Sequence, residues 1–333
     1  MVMELIPVVN ILQEKKGKWK EAHLILFEYC NLRCSFCHQD HDSKVGFDTI
    51  AEKVETLIAS TDPRQHYVVN MTGGELFLDE YPDELFEQYY QAGKRIFEHF
   101  DNALLVLGTN LVYHKVERLV ELVKRLQAHG KVQIATSYDP AGRFDRVGRM
   151  LFFHNLHKVK EYVRTVNVVI TKQNIEAFLS ENEGYEVAWM CEHFDVYFDH
   201  YIPSQMYEYI QPDEDLISQL YLKLNERYPN SYPIKDWKQN AFNETTCRST
   251  KIVNKDGIVS TCWSEAGKNA ILDEAEGLKA KDEAEMRFVE KYDCFSCEYY
   301  SRCGMRCFLH HSFIEDGNST CQIKEMFSKI IEA

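Results

Sequence analysis

The chain has 333 residues, of which 45% are hydrophobic and 27% are charged, and its formal net charge is −14. This composition is that of a globular protein with one large domain or two ordinary ones. The acidic balance argues against bulk nucleic-acid binding, which needs a basic surface. No apolar run approaches the ~20 residues of a membrane-spanning helix, and the N-terminus lacks the features of a signal peptide. We therefore expect a cytoplasmic protein without membrane contact.

Eleven cysteines are distributed unevenly along the chain. Three lie between positions 30 and 37, seven lie between 247 and 321, and Cys191 stands apart in an apolar helical segment. The cytoplasm keeps thiols reduced, so disulfides are disfavoured. The two groups predict metal or iron–sulfur ligation, whereas Cys191 is predicted to be a small core residue.

The first group forms a C-x3-C-x2-C loop directly after an apolar run at 22–27. Cys30, Cys34 and Cys37 can hold three irons of a [4Fe–4S] cube. Such clusters normally have four cysteine ligands, so the fourth iron then needs another ligand. From the triplet alone, a partial zinc site or half of a disulfide framework are alternatives.

Short apolar runs alternate with amphipathic segments over the first two hundred residues. The predicted strands are 22–29, 66–71, 103–108, 132–137, 163–170 and 194–201. The predicted helices are 48–60, 82–100, 114–129, 144–158 and 174–192, the first of them opened by Asp48. This alternation predicts an α/β fold of parallel strands with right-handed crossovers. Six repeats are too few for a complete eightfold barrel.

Glycine and polar residues follow the predicted strands. Gly73, Gly74 and Glu75 end the second strand, where glycine lets the backbone approach a ligand closely. Asn110 follows the third strand, and Ser137 ends the fourth.

Charged residues follow the later strands. Arg143, Arg146 and Arg149 come soon after the fourth strand and form a local basic patch, which a solvated helix start explains at least as well as local nucleic-acid binding. Asp199, on the sixth strand, is a candidate general base or substrate anchor.

The second cysteine group begins with a predicted hairpin. Two short β runs flank Asp256 and Gly257, a hairpin signature, with Cys247 before it and Cys262 after it. The remaining cysteines are Cys294, Cys297, Cys303, Cys307 and Cys321. A zinc ribbon would use only four of the seven.

The N-terminal motifs resemble those of the radical S-adenosylmethionine (SAM) superfamily. The resemblance implies a partial (β/α)6, TIM-like barrel and a cluster held by Cys30, Cys34 and Cys37. In that superfamily the open iron chelates the amino and carboxylate groups of SAM. Reductive cleavage gives a 5′-deoxyadenosyl radical, which abstracts a substrate hydrogen.

The same resemblance implies the contacts with SAM. It places Phe36 near the adenine and assigns the amino group of SAM to the Gly-Gly-Glu motif. The implied SAM-binding residues are Phe36, Gly73, Gly74, Glu75, Asn110, Ser137 and Arg146. The chain departs from the superfamily where Leu76 replaces a proline and where Leu111 and Pro140 each replace a glycine.

Residues 245 to 325 resemble the seven-cysteine SPASM extension, which carries two auxiliary [4Fe–4S] clusters. By position, Cys247, Cys262 and Cys307 bind the first auxiliary cluster, and Cys294, Cys297, Cys303 and Cys321 bind the second. Residues 235–246 contain no eighth cysteine, which leaves the fourth ligand of the first auxiliary cluster open. Trp263 stands where sulfatase-maturing members have an aspartate.

These expectations divide the chain into four parts. They are an N-terminal extension at 1–21, the barrel at 22–202, a bridging helical segment at 203–244 and the SPASM domain at 245–333. The resemblance implies three [4Fe–4S] clusters, SAM and an electron donor such as flavodoxin or ferredoxin.

Most members with this extension modify peptides or proteins by crosslinking, epimerisation or oxidation, so we expect a peptide or protein substrate. Only some twenty residues precede the first strand, so a separate protein would recognise a leader peptide. The alternative is radical oxidation or rearrangement of a small molecule such as a sugar, amino acid or modified nucleotide.

Overall fold

The computed structural model describes residues 19–37, 39–44, 46–180, 184–200, 212–231, 234–238, 250–260, 279, 283, 286–287, 289–299 and 321–332. One eight-stranded sheet, in the order β6-β5-β4-β3-β2-β1-β7-β8, organises the barrel. Its strands are β1 (Trp19–Ile25), β2 (His66–Thr72), β3 (Asn102–Thr109), β4 (Lys131–Ser137), β5 (Val163–Ile170), β6 (Asp195–His200), β7 (Thr250–Val253) and β8 (Val259–Ser260).

Strands β1 to β6 are parallel and adjacent in chain order. The sheet order ends at β6 and β8, so the described strands form an open barrel. The predicted fold class, an α/β partial (β/α)6 TIM-like barrel, is confirmed.

Helices follow the strands. They are α1 (Ile50–Ala59), α2 (Asp83–His99), α3 (Val116–Gln127), α4 (Arg146–Val159), α5 (Lys172–Leu179), α6 (Gly184–His193), α7 (Glu214–Arg227), α8 (Ile234–Lys238) and α9 (Gln322–Ile331). Single 3-10 turns lie at Lys160–Tyr162 and Cys294–Ser296. Among the described residues, no helix is long and apolar enough to cross a membrane.

The strand sequences explain the two faces of the sheet. Leu24, Val69 and Leu105 are fully buried and belong to the hydrophobic core that contains the helices. The alternate positions His23 and Asn70, which are register partners on β1 and β2, line the barrel cavity instead. The period of two along each strand therefore separates an apolar outer face from a polar inner one.

Two local predictions were wrong. The single predicted helix at 174–192 is two helices, because Ser180 is extended and ends α5. The α5 helix also begins earlier than predicted, because Thr171 caps it by accepting a hydrogen bond from the backbone N–H of Asn174. At α1 the N-cap residue is Thr49, not Asp48, and no side chain caps that helix.

The predicted hairpin is present and extends the barrel sheet. Gly257 has a φ of +79°, the left-handed conformation that its turn needs, and β7 and β8 pair in antiparallel fashion. The β7 strand also pairs in parallel with β1, and Val253 is the register partner of Leu24. The first strand of the predicted SPASM region is therefore part of the barrel sheet, and the division of the chain into four parts stays a prediction.

An aromatic cluster connects the C-terminal helix to the bridging segment. The ring of Trp237 on α8 lies 4.6 Å from that of Phe327 on α9 and 5.0 Å from that of Tyr221 on α7. All three side chains are buried. This packing holds α9, which directly follows Cys321, against the bridging helices.

Candidate functional site

A cavity of about 340 Å3 lies where β1 to β5 end in their following loops. Of the residues implied as cluster or SAM ligands in the barrel, those that line it are Cys30, Cys34, Cys37, Phe36, Gly73, Gly74, Asn110 and Ser137. The centre of the lining is small and apolar, with Gly108 and Ala135 on neighbouring strands β3 and β4. This is the position at which α/β barrels place their active sites.

The loop that carries the three cysteines is held by backbone hydrogen bonds. The N–H of Cys30 donates to the carbonyl of His41 (3.0 Å), and the N–H of Ser35 donates to the carbonyl of Gly142 after β4 (2.8 Å). Within the loop, the N–H of Cys37 donates to the carbonyl of Cys34 (3.1 Å). The loop is therefore held at Cys30 by the carbonyl of His41 and at Ser35 by the loop that follows β4.

The thiols of this loop fit an iron–sulfur cluster. Burial raises the pKa of Cys30 to about 12 and also raises the pKa values of Cys34 and Cys37. A bound cation reverses this effect, because metal binding requires and stabilises the thiolate. No group of three His, Cys, Asp or Glu side chains in the described parts of the chain is arranged around a single metal ion. A cluster that gives each thiolate its own iron does not need that arrangement.

Two glycines bring the loop after β2 against the cysteine loop. The N–H of Gly74 donates to the carbonyl of Phe27, and the N–H of Glu75 donates to the carbonyl of Tyr29, both at 2.9 Å. A Cβ at position 74 would lie 2.2 Å from the carbonyl oxygen of Tyr29 and 2.3 Å from that of Glu28. No side chain fits there, so glycine is required for the two loops to meet at the cavity.

Glu75 lies beside the cavity, but its carboxylate points elsewhere. The residue is 0% exposed. Its carboxylate accepts hydrogen bonds from the hydroxyl of Thr109 and from the N–H groups of Phe77 and Asn110. Burial raises the pKa of Glu75 to about 7, although these three donors oppose the increase. The sequence placed this carboxylate on SAM; the structure places it against the end of β3.

Arg143, rather than the predicted Arg146, lines the cavity. Its guanidinium carbon lies 5.2 Å from the ring centre of Phe36, and its Nε donates to Asp139 at 2.5 Å. Arg146 is exposed at the first turn of α4, outside the cavity lining. The third arginine of that patch, Arg149, pairs with Glu186 on α6.

Asp139 holds the guanidinium of Arg143 in position. Its carboxylate is fully buried and also accepts from the N–H of Val169 (2.9 Å) and the side-chain amide of Asn174 (2.8 Å). Burial raises the pKa of Asp139, while Arg143 opposes the increase. This buried pair therefore joins β4, β5 and α5 behind the cavity.

The auxiliary-cluster cysteines are only partly described. Cys294 begins a 3-10 turn, Cys297 follows it, and Cys321 is the N-cap residue of α9. Cys247, Cys262, Cys303 and Cys307 lie outside the described residues. The two auxiliary ligand sets therefore stay predictions.

Two other predicted positions have defined places. Asp199 lies on β6 as the register partner of Val169; nothing further is described of its side chain. Cys191 packs against the hydrophobic core from α6, and burial raises its pKa to about 12, in agreement with a structural role.

Some cavity residues were not found from the sequence. His23, Asn70 and Asn167 line the cavity from β1, β2 and β5. Each alternates with core residues along its strand, and that alternation of polar and apolar residues was the available signal. His23 also lies 3.6 Å from the Glu21 carboxylate, and this contact lowers the pKa of Glu21.

Comparison with solved structures identifies the fold. The chain resembles native anSMEcpe with bound AdoMet (TM-score 0.62, 14% identity), and the match covers 94% of this chain and 96% of that one. It resembles native anSMEcpe with bound AdoMet and the Cp18Cys peptide over the same shares (TM-score 0.59, 16% identity). It also resembles SuiB of Streptococcus suis (TM-score 0.51, 15% identity), covering 92% of this chain and 77% of that one.

The sequence comparisons add no family. No protein-family model and no curated protein sequence matches the chain. Identities of 14 to 16% establish the fold and leave the reaction open. The chain therefore has the fold of these solved structures.

Proposed function

We propose that the protein is a radical SAM enzyme that modifies a peptide or protein side chain or α-carbon. The observation that carries this proposal is the cavity itself. It brings together the thiols of Cys30, Cys34 and Cys37, the backbone of Gly73 and Gly74 and, from the opposite strands, Ser137 and Arg143. When bound, the cluster supplies the electron that cleaves SAM and so produces the hydrogen-abstracting radical.

The residues of the chain bind and orient SAM. The close approach of Gly74 to the cysteine loop brings the backbone of Gly73 and Gly74 to the cavity, where it would bind the amino group of SAM. Arg143, held by Asp139, presents a cation for the carboxylate of SAM. Phe36, 9% exposed beneath Arg143, provides an apolar face for the adenine.

A peptide substrate is supported by the solved structures with this fold. One of them, native anSMEcpe, holds AdoMet together with a peptide, and the structural match covers 94% of this chain. Among the described strands the sheet ends at β6 and β8, and we infer that an extended substrate reaches the cavity between these two edges. We further propose two auxiliary clusters on the C-terminal cysteines and a flavodoxin or ferredoxin as electron donor.

Deuterium transfer tests the proposal. The anaerobically reconstituted enzyme, with SAM and dithionite, is incubated with peptides from a digest of fully deuterated cell protein or with the deuterated small-molecule fraction of the same cells. We expect deuterium in 5′-deoxyadenosine from the peptide fraction only. Transfer from the small molecules alone would assign the enzyme to metabolite chemistry. No 5′-deoxyadenosine in any sample would exclude a radical SAM enzyme.

A further inference from the structure

Glu75 is a buried carboxylate outside the cavity lining, and two of its hydrogen-bond partners, Thr109 and Asn110, line the cavity. Its two oxygens accept from Phe77 N–H (2.9 Å), Thr109 O–H (2.9 Å) and Asn110 N–H (2.6 Å). With 0% exposure it presents no surface to a ligand. Its contacts instead fix the end of β3, where Asn110 is located.

Asn110 connects that strand end to the cysteine loop. Its amide nitrogen Nδ2 lies 3.6 Å from the sulfur of Cys30 and 2.8 Å from Oδ1 of Asn31. Its Oδ1 accepts from the N–H of Val112 at 2.8 Å. A backbone N–H is only a donor, so the amide oxygen must face Val112 and the amide N–H2 must face Cys30.

The backbone around Asn110 is held in one uncommon conformation. Leu111 has a φ of +57°, a left-handed conformation that is unfavourable for a leucine. The N–H of Leu111 donates to the Thr109 hydroxyl (3.2 Å), and its carbonyl accepts from Asn155 (3.0 Å). The Glu75–Thr109 contact therefore stabilises the strained turn that aims Asn110 at Cys30.

We propose that Asn110, held in position through Thr109 and Glu75, raises the reduction potential of the cluster that Cys30, Cys34 and Cys37 would hold. An N–H group directed at a ligand sulfur stabilises its negative charge and so favours the cluster that has gained one electron from the external reductant. This inference rests on the proposed function, because it assumes that the cysteine loop holds a cluster. It assigns to Glu75 a role other than binding the amino group of SAM.

A redox titration followed by electron paramagnetic resonance tests the inference on the reconstituted enzyme. The signal that changes on addition of SAM identifies the cluster with the open iron and separates it from the auxiliary clusters. For Asn110→Leu we expect the equilibrium constant for reduction to decrease about tenfold, which corresponds to a decrease of the reduction potential by about 59 mV. For Thr109→Val we expect a decrease of the same sign and about threefold in that constant, because the substitution removes the hydroxyl that links Glu75 to the N–H of Leu111 and changes no charge.

Asn110→Asp is a second variant for the redox titration if the Asn110→Leu protein does not bind the cluster. It is isosteric, keeps an acceptor for Val112 and replaces the N–H donor near Cys30 with a carboxylate oxygen. The equilibrium constant for reduction of this variant should decrease by more than tenfold. Asn225→Leu is the matched control, since it makes the same change as Asn110→Leu on α7, outside the cavity lining, and its potential should equal that of the wild type.

Kinetics separates the positioning role from SAM binding. In Thr109→Val we expect kcat for 5′-deoxyadenosine release to decrease and the KM for SAM to stay within about twofold. Titanium(III) citrate, a stronger reductant, should restore kcat. A KM increase of about tenfold with an unchanged potential would show that this turn serves SAM binding and would overturn the inference.

Failure of the proposed function gives a different result. Wild-type enzyme that neither releases 5′-deoxyadenosine nor changes its spectrum with SAM would refute the function itself. Wild-type enzyme that does both, with the same potential in all Asn110 and Thr109 variants, would refute only the role of these two residues.

Discussion

The two cysteine regions of the chain are built in different ways. Cys30, Cys34 and Cys37 lie within eight residues, on a loop held by the ends of neighbouring strands. The described C-terminal cysteines lie on a 3-10 turn at Cys294–Ser296 and at the start of α9, more than twenty residues apart in sequence. The folding of the barrel therefore brings the first three cysteines together. The C-terminal cysteines lie on separate segments, which a shared ligand would join.

The largest expected effect comes from the first region. Cys34→Ala removes one of three ligands from the loop, so 5′-deoxyadenosine release should decrease by about a thousandfold or more. Wild-type protein should hold about twelve irons if all three clusters form, and the variant about eight. Iron analysis and chromatography of the products measure both. Cys191→Ala is the control, and persistent SAM cleavage in Cys34→Ala would contradict the assignment of the loop.

A pH titration of the metal-free protein tests whether the first site forms without its ligand. The pKa of Glu75 is about 7 in the fold and about 4.3 in an unfolded chain. Because the folded pKa is the higher one, the stabilisation is complete below pH 4 and is lost as the pH rises through 7. The loss amounts to about 3 kcal/mol. Urea unfolding measures the free energy of unfolding of wild type and Glu75→Gln at pH 4.5 and 7.5. The stability of wild type relative to that of the variant should decrease from pH 4.5 to pH 7.5. Parallel pH profiles would mean that Glu75 is not buried without the cluster.

Two arginines give a matched pair at the edge of the same site. Arg143→Gln removes the cation that lines the cavity, so the KM for SAM should increase by roughly tenfold to a hundredfold. Arg146→Gln changes an exposed residue three positions later and should leave the KM within about twofold. Equal effects of the two substitutions would remove the distinction that the structure makes between them.

The smallest effect on SAM cleavage is expected from the second region. Cys297→Ala should lose about four irons but retain SAM cleavage within about threefold. The overall modification of the substrate should be lost, because an auxiliary cluster would accept the electron left after hydrogen abstraction. Loss of SAM cleavage in this variant would show that the two regions depend on each other for folding.

Residues adjacent in sequence were easier to predict than contacts between distant segments. The strand ends, the cysteine triplet and Gly73-Gly74 carry local signals, and the structure brings them to one cavity. The choice between Arg143 and Arg146 depended on where α4 begins. Asp145 caps that helix by accepting from the N–H of Gly148, which leaves Arg143 on the loop. The direction of the Glu75 carboxylate depends on Thr109 and Asn110, more than thirty residues away, and no spacing in the sequence reports it.

The pairing of β7 with β1 has a consequence for synthesis of the protein on the ribosome. Leu24 and Val253 are register partners, so this edge of β1 lacks β7 while roughly 230 further residues are made. At about 5 to 20 residues per second this delay lasts roughly 10 to 50 seconds. An unpaired strand edge can recruit strands from other chains. The strand that leads into the cysteine loop is therefore among the first parts of the barrel to emerge and among the last to gain both neighbours, which makes chaperone binding during translation relevant to how much enzyme a cell obtains.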